Sequence, residues 1–355
     1  MTDKAVALLR DLVGIPSPSG GEAKAAAFLV SRARRLGFDA ERDPAGNAVA
    51  SAGDPDAKRT VVLLGHLDTV PGWIPIRVEG GALWGRGAVD AKGALVAFLL
   101  AAAEAMDSLQ QTRLLVIGAV REESDSAGAR FLAARMRPPT YAVIGEPSGW
   151  NGITLGYKGY LGLHYALAQP AAHSAGESPP VAEHAVAFWN RVVADAAERS
   201  HGAAIRFDRL DPALRSIETQ HDGLTERVSM RVGFRLPPQI DLHALRSRVA
   251  SWSRDATLEW HGGDPAFRAD RNTPLVRAFF RAVRSLGGTP RLKLKSGTSD
   301  MNVVGPAWRC PIVAYGPGDA ALDHTPEERI GIEAFLAAID VLTVALHRLT
   351  APARD

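Results

Sequence analysis

The stretch VVLLGHLDTVPG at residues 61–72, followed by WGRGAVDAKG at residues 84–93, decides the fold of this chain. Its first four residues are apolar and a glycine follows them, so the pattern predicts a buried strand. His66, Asp68 and Asp90 come in loops after that strand. Imidazole nitrogen and carboxylate oxygen both bind zinc in proteins, so the stretch predicts part of a metal site.

Strands alternate with helices on both sides of this stretch. Further buried strands are predicted at 114–120 and 141–144, and helices at 91–106 and 126–136. This alternation is typical of an α/β domain with a mostly parallel sheet flanked by helices.

The pattern changes at Tyr157. Strands are predicted at 157–169, 227–236 and 256–260, with helices at 180–199 and 242–252 and a further short strand around 203–207. This β-α-β-α-β order predicts a small ferredoxin-like α+β domain of about a hundred residues.

The α/β pattern resumes after Asn272-Thr273-Pro274. Thr325, followed by Pro326 and two glutamates, predicts the start of a closing helix that continues to about Leu349. The catalytic domain is therefore expected to comprise residues 1–156 and 270–355, with residues 157–269 inserted into it.

Composition narrows the possible functions. The chain has 355 residues, which favours two domains, and 41 basic against 39 acidic residues, which gives no reason to expect nucleic-acid or membrane binding. Cys310 is the only cysteine, which excludes an internal disulfide framework and a thiolate zinc cluster. With no signal-like N-terminus and no apolar run of membrane-spanning length, we expect a cytoplasmic protein.

Polar groups follow three of the predicted buried strands. His66 follows VVLLG, Glu122 and Glu123 follow LLVIGAV, and Glu146 follows YAVIG. Ligands bind to open α/β sheets at the carboxyl ends of the strands, so these side chains are expected to converge. His324, in a loop after a later strand, adds a further nitrogen ligand.

These motifs resemble the di-zinc aminoacylase/carboxypeptidase family, which includes acetylornithine deacetylase and succinyl-diaminopimelate desuccinylase. The resemblance covers the whole chain, in family order, and is carried by HLDTVP, GRGAVDAKG, the pair Glu122-Glu123, GEPS, SGTSD and DHTPEE. It implies a dimeric amide hydrolase in which the inserted domain is a dimerisation and lid domain.

The resemblance also implies a ligand set. Asp90 would bridge two zinc ions; His66 and Glu146 would complete one ion, and Glu123 and His324 the other. Cobalt would suit the same nitrogen and oxygen ligands.

The remaining roles are carried over in the same way. Glu122 would be the general base, and Asp68 would orient the imidazole of His66. His173 would reach across a dimer to the developing oxyanion, and Arg235 would hold a substrate carboxylate. The substrate pocket would be lined by Ser296, Gly297, Thr298, Ser299 and Asp300.

Within the family, GEPSGWNGITLGYKG and KSGTSDMNVVGPAW resemble one branch. Its members release lysine, and in some cases ornithine, from the C-terminal glutamate of an amino-group carrier protein, LysW, in amino-acid biosynthesis; some are described as N-acetyl-lysine or N-acetylornithine deacetylases. The acyl group stays open at this point. Acetylornithine deacetylase, a related dipeptidase or aminoacylase, and a catalytically silent dimeric binding protein are the alternatives.

Overall fold

The computed structural model describes residues 2–173 and 178–350. The α-helices are, in chain order, α1 (Thr2–Val13), α2 (Ala23–Arg35), α3 (Lys92–Ala105), α4 (Ala127–Arg135), α5 (Val181–Arg199), α6 (Leu242–Ala250), α7 (Pro274–Ser285), α8 (Met301–Trp308) and α9 (Ile332–Thr350). Among the described residues, no helix is both long and apolar enough to cross a membrane.

The strands are β1 (Asp39–Arg42), β2 (Ala48–Ala52), β3 (Arg59–His66), β4 (Arg77–Glu79), β5 (Ala82–Trp84), β6 (Thr112–Ala119), β7 (Tyr141–Gly145), β8 (Gly152–Tyr157), β9 (Gly159–Pro170), β10 (Asp211–His221), β11 (Thr225–Leu236), β12 (Thr257–Asp264), β13 (Phe267–Arg268), β14 (Arg291–Lys295), β15 (Ile312–Ala314) and β16 (Arg329–Gly331).

The chain divides into two compact units. The first comprises Met1–Gly156, Ala269–Leu294 and Ser299–Asp355, and the second comprises Tyr157–Arg268 and Lys295–Thr298. Each has its own hydrophobic core.

The first unit is built on a sheet with the strand order β1-β2-β6-β3-β7-β15-β8. Strands β6, β3, β7 and β15 run parallel, while β2 and β8 pair antiparallel with their neighbours. The predicted α/β class with a mostly parallel sheet is therefore confirmed. A separate antiparallel sheet has the order β16-β5-β4.

Helix α3 lies directly on the central strands. It is apolar on nearly all sides and is buried along most of its length, as expected for a helix covered on every face. Gly145 permits this close approach, because a Cβ atom there would lie 2.9 Å from the Phe98 ring and 3.0 Å from the Cα atom of Gly65. The loop before α3 is thereby held close to the sheet edge.

The second unit has a four-stranded antiparallel sheet in the order β10-β11-β9-β12. With α5 and α6, the chain order is β-α-β-β-α-β, which is the ferredoxin-like arrangement that the sequence predicted. The position of the additional strand was wrong. It is β10, and residues 206–208 form a short 3₁₀ helix instead. Strand β10 is mostly exposed at the sheet edge, so it lacks the apolar run that reveals a buried strand.

The prediction of a helix from Thr325 was also wrong, because α9 begins at Ile332. The hydroxyl of Thr325 accepts the N–H of Glu327 at 3.3 Å, which closes a turn. Strand β16 then pairs with β5 and buries Ile330 in the core. The local helix-start signal is overridden by strand pairing and by the burial of one isoleucine.

Candidate metal centre

The carboxyl ends of three parallel strands bring the predicted polar residues together. His66 is the last residue of β3 and lies opposite Ala119, the last residue of β6. Glu122 and Glu123 follow β6 after a short turn, and Glu146 directly follows β7. The strand register therefore sets these side chains at one edge of the sheet.

Asp90 lies between the two candidate histidines. Its Oδ1 atom is 3.1 Å from Nε2 of His66, and its Oδ2 atom is 3.1 Å from Nε2 of His324. The same His324 nitrogen lies 2.8 Å from Oε1 of Glu123. One carboxylate thus presents a separate oxygen to each imidazole, which is the arrangement that a bridging ligand requires.

The candidate ligand atoms form two groups that share Asp90. His66, Asp90 and Glu146 form one, and Asp90, Glu123 and His324 form the other, with the atoms of each group within 4.8 Å of one another. Glu122 lies within the same distance of His66 and Glu123. Imidazole nitrogens and carboxylate oxygens are donor types that bind divalent metal ions, so these groups could hold a metal.

The carboxylates strongly perturb both imidazoles. Burial alone would lower the pKa of His66, but the nearby carboxylates of Asp68 and Asp90 raise that pKa well above its usual value. Hydrogen bonds to Asp90 and Glu123 raise the pKa of His324 to about 10. Burial alone would raise the pKa of Asp90, but the two histidines lower it far below its usual range. The side chains thus form a compact array of opposite charges.

Glu122 and Asp300 are acids in a different environment. Desolvation raises the pKa of Glu122 well above its usual value; the charge of His66 opposes this, and those of Glu146, Asp300 and Glu123 add to it. Burial likewise raises the pKa of Asp300 to about 7. A carboxylate with raised proton affinity beside a candidate metal centre suits a group that accepts and returns a proton.

Asp68 makes contacts that the sequence did not predict. Its main-chain carbonyl, not its carboxylate, lies 2.9 Å from Nδ1 of His66, and its Oδ1 atom is 3.6 Å from that nitrogen. The carboxylate instead accepts the backbone N–H groups of Glu122 and Glu123, both at 3.0 Å, and the hydroxyl of Ser19 at 2.7 Å. One buried carboxylate therefore fixes the turn that carries two of the candidate site residues.

The other predicted residues are divided between the two units. Ser299 and Asp300 are buried in the first unit. In the second unit, Arg235 donates a hydrogen bond to the hydroxyl of Thr298 and lies 5.2 Å from the Tyr160 ring centroid. Ser296 and Gly297 belong to the same unit.

His173 is exposed after strand β9 of the second unit. The rest of its motif, residues 174–177, lies outside the described residues.

Glu328 is a residue at the centre whose place the sequence did not reveal. Its carboxylate accepts the backbone N–H groups of Val89 and Asp90 and pairs with Arg86. The sequence signal was its place at the end of the motif DHTPEE, four residues after His324, where the helix-start pattern gave it an ordinary explanation.

Comparison with known proteins identifies relatives over the full chain. The chain is 45% identical over 352 residues to a LysW-lysine hydrolase of Deinococcus radiodurans, covering 96% of each protein. It is 28% identical over 352 residues to a LysW-lysine/LysW-ornithine hydrolase of Saccharolobus solfataricus, covering 98% of this chain and 96% of the relative.

The same relationship is seen in the fold. An M20 family metallo-carboxypeptidase from Sulfolobus solfataricus superposes with a TM-score of 0.79 at 19% identity, covering 98% of this chain and 99% of that structure. The model of peptidase family M20/M25/M40 matches residues 62–348. That match begins in strand β3 and ends in helix α9, and so takes in every candidate ligand; the chain belongs to peptidase family M20/M25/M40.

Proposed function

We propose that this chain is a metal-dependent amide hydrolase that releases L-lysine from the γ-glutamyl C-terminus of the carrier protein LysW. The observation that carries the proposal is that this chain is 45% identical, over 96% of its length, to a LysW-lysine hydrolase, and candidate metal ligands lie together in it. Release of L-ornithine from the same carrier, or of lysine from its N-acetylated form, belongs to the same chemistry.

The site is proposed to hold two zinc ions, with cobalt as a chemical equivalent. His66, Asp90 and Glu146 would hold one ion, and Asp90, Glu123 and His324 would hold the other. Two such ions, when bound, polarise the scissile carbonyl and lower the pKa of the attacking water. This assignment is supported by the two groups of candidate ligands, which have Asp90 in common.

Glu122 is proposed as the general base. It accepts a proton from the attacking water and then donates it to the departing amine, so the amide carbon gains one oxygen and the amine leaves neutral. The Asp68 carboxylate accepts the backbone N–H groups of Glu122 and Glu123, which fixes the positions of the proposed base and of a proposed ligand relative to each other.

The second unit is proposed to complete substrate binding. Arg235 suits a carboxylate because a guanidinium presents two parallel donors, and Thr298 already orients it. His173 is proposed to stabilise the developing oxyanion from the partner subunit of a dimer. The segment from Ser296 to Asp300 would line the substrate pocket.

The second unit is also proposed as the dimerisation domain. Helix α5 exposes Val186 and Val193, which lie two turns apart on one face, and edge strand β10 exposes Leu214 and Ile217. An edge strand has unpaired backbone groups that a second copy can satisfy. The helix packs against that strand, so the apolar residues belong to adjoining elements.

The substrate class is tested by a panel of acylated amino acids. We expect carrier-linked lysine to be hydrolysed with a kcat/KM at least about tenfold above that of N-acetyl-lysine, N-acetylornithine or a dipeptide, because one tenfold step requires only about 1.4 kcal/mol of extra transition-state binding. Chelation should abolish activity, and zinc or cobalt should restore it. The proposal would be overturned if lysine were released neither from carrier-linked lysine nor from N-acetyl-lysine.

Replacing Glu122 by glutamine tests the general base. The substitution keeps the shape of the side chain but removes its proton affinity, so kcat should fall by about a hundredfold to ten-thousandfold. Bound metal, measured by elemental analysis, should remain at two ions. Asp125→Asn, an exposed acid three residues along the chain, is the control and should leave kcat unchanged. Wild-type turnover in Glu122→Gln would refute the assignment.

Metal binding should release protons. Hydrogen bonds to Asp90 and Glu123 raise the pKa of His324 to about 10, so this imidazole is protonated in the metal-free protein near pH 8. Metals bind the neutral ring, so His324 should release about one proton when metal binds, and affinity should rise as pH approaches 10. The stabilisation from protonated His324 is complete below its unfolded pKa of about 6.5 and is lost as pH rises through 10.

Calorimetry of zinc binding in two buffers of different ionisation enthalpy counts these protons. His324→Gln should reduce the number by about one, and the exposed His347→Gln should not change it. A heat of binding that is independent of the buffer would contradict this prediction.

The dimer is tested by Val186→Asp combined with Val193→Asp. Burying two carboxylates against a second copy is unfavourable, so light scattering should show a shift from two chains to one. The double variant should retain a folded circular-dichroism spectrum, since both positions are exposed in the single chain. Leu286→Asp, at an exposed leucine of the first unit, is the control. A wild-type protein that is already a single chain would refute the proposed dimer.

A further inference from the structure

Asp90 is the residue on which both proposed ion sites depend. It follows Gly85 and Gly87, which have φ angles of +156° and +84°. Backbone hydrogen bonds from Ala88 to Gly85 and from Lys92 to Gly87 close the loop. A bridging carboxylate must place two oxygens within a few tenths of an ångström of their positions. Support for the Asp90 backbone from elsewhere in the fold therefore bears on both proposed sites.

Glu328 provides that support through hydrogen bonds to the backbone. One carboxylate oxygen accepts the N–H of Val89 at 3.0 Å and the N–H of Asp90 at 3.1 Å. The other oxygen lies 2.8 Å from a guanidinium nitrogen of Arg86. All three donors belong to the loop that carries Asp90, so a single side chain holds that loop at three points.

The position of Glu328 is itself firmly fixed. Its side chain is 1% exposed, and its carbonyl accepts the N–H of Gly85. The next residue begins strand β16, which pairs along its whole length with β5. The residue that carries this carboxylate is therefore held in place by the adjoining strand pair.

The same short segment reaches Asp90 from two directions. His324 contacts the Asp90 carboxylate, and Glu328, four residues later, holds the Asp90 backbone. Residues 324–328 thus fix both the peptide group and the carboxylate of the proposed bridging residue.

We propose that Glu328 is a positioning residue that sets the bridging carboxylate of Asp90, with Arg86 as its counter-ion. The inference rests on the proposed metal site. Glu328 itself contacts neither substrate nor the reacting atoms in this role. Its effect is to prepare the metal-free protein for binding both ions.

The test measures metal affinity in Glu328→Gln. Glutamine keeps the volume but offers one acceptor oxygen, so it cannot hold both the N–H groups and Arg86. Titration of the metal-free protein with zinc, in competition with a chromophoric chelator, should show affinity about 10- to 100-fold weaker for at least one ion. The visible absorption of the Co²⁺-loaded variant should also change, because ligand geometry around the ions changes.

Two matched controls separate positioning from general loss of stability. Glu327→Gln makes the same substitution at the neighbouring, 74% exposed side chain and should leave both readouts unchanged. Asp195→Asn removes a buried acid that pairs with Arg199 and Arg248 in the second unit. It should lower the melting temperature without weakening zinc binding.

The outcomes distinguish this inference from the proposed function. If Glu328→Gln binds two ions with wild-type affinity and an unchanged cobalt spectrum, the inference is wrong. If the wild-type protein itself does not bind two ions, the proposed metal site is wrong. Should Glu328→Gln fail to fold, Arg86→Lys, which retains the charge but loses the planar fork, is measured instead. Several-fold weaker zinc binding then supports the role, and unchanged binding overturns it.

Discussion

The rest of the structure depends on the contacts that the Asp90 carboxylate makes with two imidazoles. This carboxylate is 12% exposed. Acids and imidazoles crowded at a sheet edge are stable only if their charges are balanced and their polar atoms have partners. Parallel strands β6, β3 and β7 end at the same edge and deliver His66, Glu123 and Glu146 there. Helix α3, buried on nearly every face, fixes the other side of the loop that carries Asp90.

Two further buried carboxylates organise this cluster through the backbone. Asp68 accepts the N–H groups of Glu122 and Glu123, and Glu328 accepts those of Val89 and Asp90. In both cases an acid that follows a candidate ligand histidine by two or four residues holds a different loop that carries a candidate ligand. On both sides of the proposed two-metal site, a buried carboxylate therefore holds a loop by accepting backbone N–H groups. The two carboxylates come from distant parts of the chain.

The sequence predicted elements whose patterns are dominated by burial. Strand β3 was evident from its apolar run at residues 61–64, and helix α3 because it is almost wholly apolar. Strand β10 was not, because it lies at an exposed edge and has no continuous apolar run. The start of α9 was misplaced because Thr325 has a strong local helix signal, which the pairing of β16 with β5 overrides.

By itself, the sequence determined the fold class and predicted the candidate ligands, because the residue types and their places after apolar strands are local properties of the chain. Only the tertiary structure decided which atoms meet. Asp68 uses its carbonyl toward His66 and its carboxylate toward another loop, a division of roles that no spacing encodes. Glu328 reaches a backbone more than two hundred residues away. Hydrogen bonds between such distant segments depend on how the folded sheet and helices bring them together.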